Sequence, residues 1–166
     1  VQTHYTAVSA GTERANLVGE LHINGAQILD RAIFPRALGY SGVGTVLKTG
    51  ASVAGVAPGD RVIIYFGQHR QYNLLPEARV FPISQASIAS AEAALVVIAG
   101  FPLEGVRKTR MEVGESALVA GLGILGLLAV ELFRAAGAVP VIAADPNPQR
   151  RKLALRLGAD IALDPL

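Results

Sequence analysis

The sequence predicts an α/β protein in two parts: a β-rich domain over residues 1–100 and a parallel-sheet domain over residues 101–166. Two changes in texture carry this expectation. Up to about residue 84, short apolar stretches such as 42–47 and 61–66 alternate with Gly, Pro and Asp, as in a domain of short strands. After Gly114 the order becomes strand (116–120), glycine turn, helix (124–136), strand (139–144) and helix (148–157), with a further strand beginning at 160–163. A βαβα order predicts parallel strands joined by helical crossovers.

Each element has a local reason. The first ten residues mix polar and apolar positions like a strand and lack the basic start and apolar middle of a signal peptide. Pro58-Gly59-Asp60 is a turn, since Pro presets φ and Gly accepts a positive one. Short strands around tight turns imply a small barrel or roll. An Ala-rich helix is expected from Ser87 through Ala99, with Gly100 and Pro102 kinking or ending it at the domain junction. Gly137 and Gly158 each follow a helix where a left-handed cap is expected, and Pro146 and Pro148 sit ahead of the last helix.

Composition narrows the function classes. A chain 51% hydrophobic and 17% charged is too apolar for disorder. Fifteen Lys and Arg against thirteen Asp and Glu leave a balance of +2. The densest basic clusters, Arg107-Lys108-Arg110 and Arg150-Arg151-Lys152, fall at helix ends and read as solvated faces, so no nucleic-acid partner is expected. The absence of cysteine excludes disulfides and thiolate zinc sites and is compatible with a cytoplasmic location. The uncharged stretch 117–130, 14 residues with three glycines, falls short of the roughly 20 residues that cross a bilayer, so no membrane span is expected. With no initiating Met and an abrupt stop at Asp164-Pro165-Leu166, the chain reads as a piece of a longer protein.

The chemistry is concentrated at Gly121-Leu122-Gly123-Ile124-Leu125-Gly126. G-x-G-x-x-G alone is weak in a chain with eighteen glycines. Here it follows an apolar strand, opens an apolar helix, and precedes a strand ending in Asp145, nineteen residues beyond Gly126. Gly121 permits the tight turn, Gly123 lets the backbone approach a pyrophosphate, and Gly126 lets helix and strand pack closely. The helix start offers N–H groups and its positive dipole end to phosphate. Asp145 is expected to accept hydrogen bonds from ribose hydroxyls and to repel a 2′-phosphate, which favours NAD over NADP. Arg150, in the first turn of the following helix, is counted with the cofactor residues because folding back toward the ribose would let it accept a 2′-phosphate; Arg151 could do the same.

On Ala10-Gly11-Thr12-Glu13, Gly39-Tyr40-Ser41-Gly42-Val43-Gly44, Pro58-Gly59-Asp60-Arg61-Val62 and the stretch from Gly114 to Asp145, the chain resembles the medium-chain dehydrogenase/reductase superfamily. The resemblance implies a GroES-like catalytic domain followed by a partial Rossmann doubly wound sheet, with substrate and nicotinamide meeting in the cleft. It also implies a complete chain roughly twice this long, and it makes a homo-oligomer a fair expectation through exposed sheet edges.

The resemblance also says where zinc would sit. Zinc-dependent members have Cys at the position of Ala10, a His-Glu pair at Tyr40-Ser41 and a third ligand near Ile98, and none of these positions holds a ligand here. His4, His22 and His69 are the histidines of the chain, and their spacing suggests no three-ligand site. His69 reads first as structural, though it is the best candidate to titrate near neutral pH. Thr12 matches the family's proton-passing hydroxyl and Glu13 the acid beside it, while Ala15 and Pro102 replace a His and a Thr found in other members. Tyr40 could take over zinc's polarising work by donating its phenolic proton to a substrate oxygen. The reading is therefore a zinc-independent, NAD-linked oxidoreductase acting on a small-molecule carbonyl, alcohol or activated double bond, with Tyr40 and Thr12 as catalytic candidates and no metal. The alternatives are an NADPH-dependent quinone or enoyl reductase and a non-catalytic dinucleotide-binding protein.

Overall fold

The computed structural model describes residues 1–21, 30–32 and 34–166. The chain folds as two compact units, Val1–Val97 and Ile98–Leu166.

The first unit is built on β1 (Gln2–Ala7), α1 (Ala10–Leu17), β2 (Ser41–Thr45), β3 (Arg61–Tyr65), β4 (Val80–Pro82) and α2 (Ser90–Ala93). Its strands form one antiparallel sheet in the order β1-β2-β3-β4, which among the described residues stays open instead of closing into the small barrel expected. Both faces of β2 are covered. Val46, Val62, Ile64 and Val80 form a core on one side, and Val43 packs with Ala93 and Ala94 in another. Val43, Val62 and Ile64 are fully buried, each stabilising the fold by about 1.5–3 kcal/mol through burial alone. The Pro58-Gly59-Asp60 turn forms as its residues predict: Gly59 has φ +97°, its N–H donates to Val46 O at 2.8 Å, and Asp60 Oδ2 accepts the Ala57 N–H at 2.7 Å.

The expected helix over 87–99 is replaced by two. After α2, the N–H of Leu95 turns back to Glu92 O (2.9 Å), and α3 (Val96–Thr109) then runs through Gly100 and Pro102 to Thr109. A proline inside a helix forfeits one backbone bond, at a cost of about 3 kcal/mol. Here Pro102 is buried, as is Ile98 one turn before it, and that packing offsets the lost bond.

The second unit continues with β5 (Ala117–Ala120), α4 (Ile124–Ala135), β6 (Val141–Ala144), α5 (Pro148–Arg156) and β7 (Ile161–Leu163). The strands pair in parallel in the order β5-β6-β7, the three-stranded sheet of a partial Rossmann fold. α4 packs on β5 and β6, α5 on β6 and β7, and the two helices touch each other, so they cover the same face. Central β6 buries Val141, Ala143 and Ala144, whereas edge strand β5 alternates buried Ala117 and Val119 with exposed Leu118. Gly137 (φ +93°) and Gly158 (φ +111°) end α4 and α5 in the left-handed conformation expected of them.

Candidate functional site

Two groups of residues carry chemistry, one in each unit. In the second unit β5 runs into a turn that only glycine can make at two points. Gly121 has φ +88°, and a Cβ on Gly126 would lie 1.9 Å from Gly121 O, so α4 can start this close to β5 only without a side chain there. Gly123 differs. Its φ is −70°, and a Cβ built on it meets no atom within 4 Å. It caps α4 without any side-chain hydrogen bond, leaving the helix start open toward that free space. This is a backbone cradle of the kind that takes a phosphate. Leu122 serves the fold instead, with a side chain fully buried in the core of the unit. Ile124 and Leu125 open α4 with exposed side chains.

Asp145 ends β6 and joins the two βα turns. Its Oδ2 accepts the Leu122 N–H at 2.7 Å, its Oδ1 accepts the Asn147 N–H at 2.7 Å, and Arg150 lies 3.5 Å from Oδ2. The two backbone donors, and then the Arg150 guanidinium, hold its carboxyl below the usual aspartate range against the opposing effect of burial. Asn147 in turn caps α5, accepting the N–H groups of Gln149 and Arg150. Arg151 is anchored away from Asp145's carboxylate by the carbonyls of Asp145 and Pro146 and by Asp164, with its side chain only 22% exposed. The expectation of a solvated basic face at 150–152 therefore fails for Arg151, because three oxygens converge on it. Arg150 is the arginine that reaches the acid.

The first unit brings together residues that the sequence keeps far apart. α1 places Glu13 inward and Thr12 outward, one residue step apart on the helix. Thr12 is exposed and its hydroxyl accepts from Ser9 Oγ at 3.2 Å. Glu13 is buried; its Oε1 accepts the Gly39 N–H at 3.1 Å and lies 3.0 Å from His69 Nε2. His69 Nδ1 lies 2.8 Å from Thr6 Oγ1. The imidazole is thus held by two side chains, not by the local backbone groups expected of a structural histidine. Its cue in the sequence is weak, since residues 6, 13 and 69 share no local motif.

Tyr40 is half-buried and continues the β2–β3 pairing, its carbonyl accepting the Phe66 N–H at 2.8 Å. Ser41 points the other way, donating its hydroxyl to Ala94 O at 2.5 Å. Ala10 has no donor atom and Ser41 is committed to the C-terminal end of α2, so the positions where the resemblance puts zinc ligands do not suit a zinc ion. Among the described residues no three His, Cys, Asp or Glu side chains gather. His4 lies 3.3 Å from Thr45 Oγ1, and His22 falls outside the described residues. Among the described residues no helix is long and apolar enough to cross a membrane.

An antiparallel GroES-like unit followed by a glycine turn on a parallel sheet defines the architecture, and comparison with known proteins agrees. Residues 9–85 match the alcohol dehydrogenase GroES-like domain family. The chain is 33% identical over 131 residues to D-guloside 3-dehydrogenase of Escherichia coli K12, covering 78% of this chain and 37% of that protein. It is 27% identical over 164 residues to L-threonine 3-dehydrogenase of Pyrococcus abyssi, covering 79% of this chain and 45% of that enzyme. Among solved structures it matches, with TM-score 0.82 and 26% identity, a protein assigned as a zinc-binding dehydrogenase from Sinorhizobium meliloti 1021 with NADP bound. That match covers 99% of this chain and 54% of the other. A quinone oxidoreductase of Pseudomonas syringae matches with TM-score 0.75 and 25% identity, over 99% of this chain and 49% of the other. The chain belongs to the medium-chain dehydrogenase/reductase superfamily. It spans less than half the length of the curated relatives it matches.

Proposed function

We propose that the protein is an oxidoreductase that works without zinc and moves hydride between NAD and a small carbonyl or alcohol, or an activated double bond. The observation that carries this reading is Asp145, a buried acid at the end of β6 whose carboxylate is tied to the glycine turn. When bound, a nicotinamide ring supplies or accepts the hydride. The chain's residues do the rest. The open backbone at Gly123, with Gly121 and Gly126 shaping the turn, would seat the pyrophosphate on the start of α4. Asp145 would receive the ribose hydroxyls through lone pairs not used by its two backbone donors. Tyr40 would donate a hydrogen bond from its phenol to the substrate oxygen, and Thr12 stands as a second hydroxyl candidate.

The relatives support the reaction class: those named above are dehydrogenases of a sugar derivative and an amino acid, and one is a quinone reductase. Lack of suitable ligands at Ala10 and Ser41 supports zinc independence. The second reading, an NADPH-linked quinone or enoyl reductase, is favoured by Arg150, which lies beside Asp145 and could take a 2′-phosphate. The NADP in the S. meliloti structure points the same way.

The reaction test is deuteride transfer. The full-length protein is incubated with NADH deuterated at the nicotinamide C4 and a panel of ketones, aldehydes and enones, with and without a chelator. The expected result is one deuterium on the product carbon at a rate the chelator does not change. Loss of turnover that added zinc restores would overturn zinc independence; binding of NADH with no transfer to any acceptor would favour a non-catalytic binding protein. Parallel titrations with NADH and NADPH decide the cofactor: NADH should bind tighter, and Arg150→Gln should weaken NADPH about tenfold or more, as loss of a charge-assisted hydrogen bond does, while leaving NADH little changed. Tighter binding of NADPH by the wild type would transfer the case to the second reading.

A further inference from the structure

The first unit contains a chain of three side chains that the cofactor site does not use: Glu13 on α1, His69 after β3 and Thr6 on β1. Glu13 Oε1 is 3.0 Å from His69 Nε2, and His69 Nδ1 is 2.8 Å from Thr6 Oγ1. Glu13 is 7% exposed, and its second oxygen, Oε2, is buried with no hydrogen-bond partner among the described residues. The His69 side chain is 27% exposed against 9% for Glu13, so the chain runs from a buried carboxylate outward.

The donor assignment follows from chemistry. With Glu13 ionised and so able only to accept, the imidazole proton of this contact would sit on Nε2. Nδ1 of the neutral ring is then an acceptor, and the Thr6 hydroxyl donates to it. A proton arriving through Thr6 lands on Nδ1 and turns a neutral imidazole into an imidazolium facing a carboxylate. A buried carboxylate held by one backbone N–H and one ring N–H, with its other oxygen unmatched, gains most from such a charge. Position agrees as well. Thr6 pairs with Gly42 across β1 and β2, and a Cβ on Gly42 would touch Thr6 Cγ2 at 3.2 Å. Strand alternation puts Tyr40 on the same face as Gly42, hence on the face of Thr6. The Gly39 N–H bonded to Glu13 immediately precedes Tyr40.

We propose that Thr6, His69 and Glu13 form the proton relay of the reaction, an inference that rests on the oxidoreductase reading. In alcohol oxidation the substrate O–H gives its proton to Thr6 Oγ1, which passes its own to His69 Nδ1. The electron pair of the substrate C–H bond leaves as hydride to the nicotinamide dinucleotide, and the carbonyl forms. Reduction runs the same transfers backwards. Tyr40 donates a hydrogen bond to the same oxygen while the relay moves the proton. Thr6 is the catalytic hydroxyl in this scheme; His69 and Glu13 act through it. Among the described residues, Glu13 from α1 is the charged group in contact with the ring, and Thr6 faces it from β1.

Two measurements on the full-length protein test the relay. Side-chain nitrogen NMR of His69 should show the neutral ring protonated at Nε2, with that proton's resonance moving in Glu13→Gln. Turnover of 2,3-butanediol with NAD should fall about 10²-fold in Thr6→Val and in His69→Gln, the scale of a lost acid–base group, with NADH titrations unchanged. Thr6→Ser should keep most of the activity, and the pH dependence of kcat that follows an imidazole should vanish in His69→Gln. A neutral ring protonated at Nδ1, or wild-type turnover in Thr6→Val, overturns the relay. A protein that binds NADH yet turns over no acceptor contradicts the oxidoreductase reading instead, and the tautomer then judges the Thr6–His69–Glu13 geometry by itself.

Discussion

Asp145 is bonded on both carboxylate oxygens, which gives it a structural role beside the cofactor role proposed for it. Its lowered pKa has a stability consequence with a definite sign. The stabilisation is fully present above the ordinary aspartate value near 4 and is lost as pH falls through the lower folded value. Acid unfolding followed by circular dichroism should therefore show stability declining below about pH 4, with a weaker decline in Asp145→Asn. An amide also brings an N–H₂ toward one of two backbone donors, so Asp145→Asn loosens the glycine turn itself, and Arg150→Gln is the cleaner probe of cofactor choice. Tyr40→Phe should lower turnover about 10²-fold, as loss of an oxyanion donor does, with NADH affinity unchanged; full turnover in that variant would remove Tyr40 from the chemistry. At this scale the residues proposed to hold the cofactor stand out in the sequence because they are contiguous or at fixed spacing. The Thr6–His69–Glu13 chain is not, because those residues meet only through the sheet pairing of β1 with β2 and the return of the chain after β3.

The elements differ in legibility for physical reasons. α4 and its strands carry long apolar runs closed by glycine, and their predicted bounds agree with the structure within about two residues. α1 escapes notice because Ala10–Leu17 has no apolar stripe; its buried residue is Glu13, a charge. α3 is cut short in the sequence reading because Pro102 looks like a stop, whereas burial of Pro102 and Ile98 carries the helix through it. The close start of α4 against β5 rests on Gly126. Gly126→Ala forces a methyl against Gly121 O, which the backbone cannot yield easily, so urea unfolding should show a loss of about 3 kcal/mol, the upper end of the usual cost of overpacking. A stability equal to wild type would mean that α4 can slide away from the turn.

Among the described residues, β5 and β7 flank the parallel sheet and expose the apolar side chains of Leu118, Ile161 and Leu163. Exposed apolar side chains gathered on one sheet favour association. We expect the protein to self-associate, and sedimentation velocity checks it: a species heavier than a monomer is predicted, and a monomer at every concentration contradicts it. The two-part α/β organisation is legible because the hydrophobic period changes along the chain, while the substrate is not, since no local pattern in this chain encodes it. The proposed function depends above all on the glycine turn seating a nicotinamide dinucleotide, and Gly123 lets that be tested without breaking the fold. At φ −70° with no atom within 4 Å of a Cβ, Gly123→Val is tolerated sterically and should cost no more than about 1 kcal/mol as an altered helix cap. Fluorescence titration with NADH, alongside thermal unfolding, should show binding weakened at least tenfold (about 1.4 kcal/mol) with the fold intact. NADH binding to Gly123→Val as tightly as to wild type would place the cofactor elsewhere and contradict its assignment to the turn.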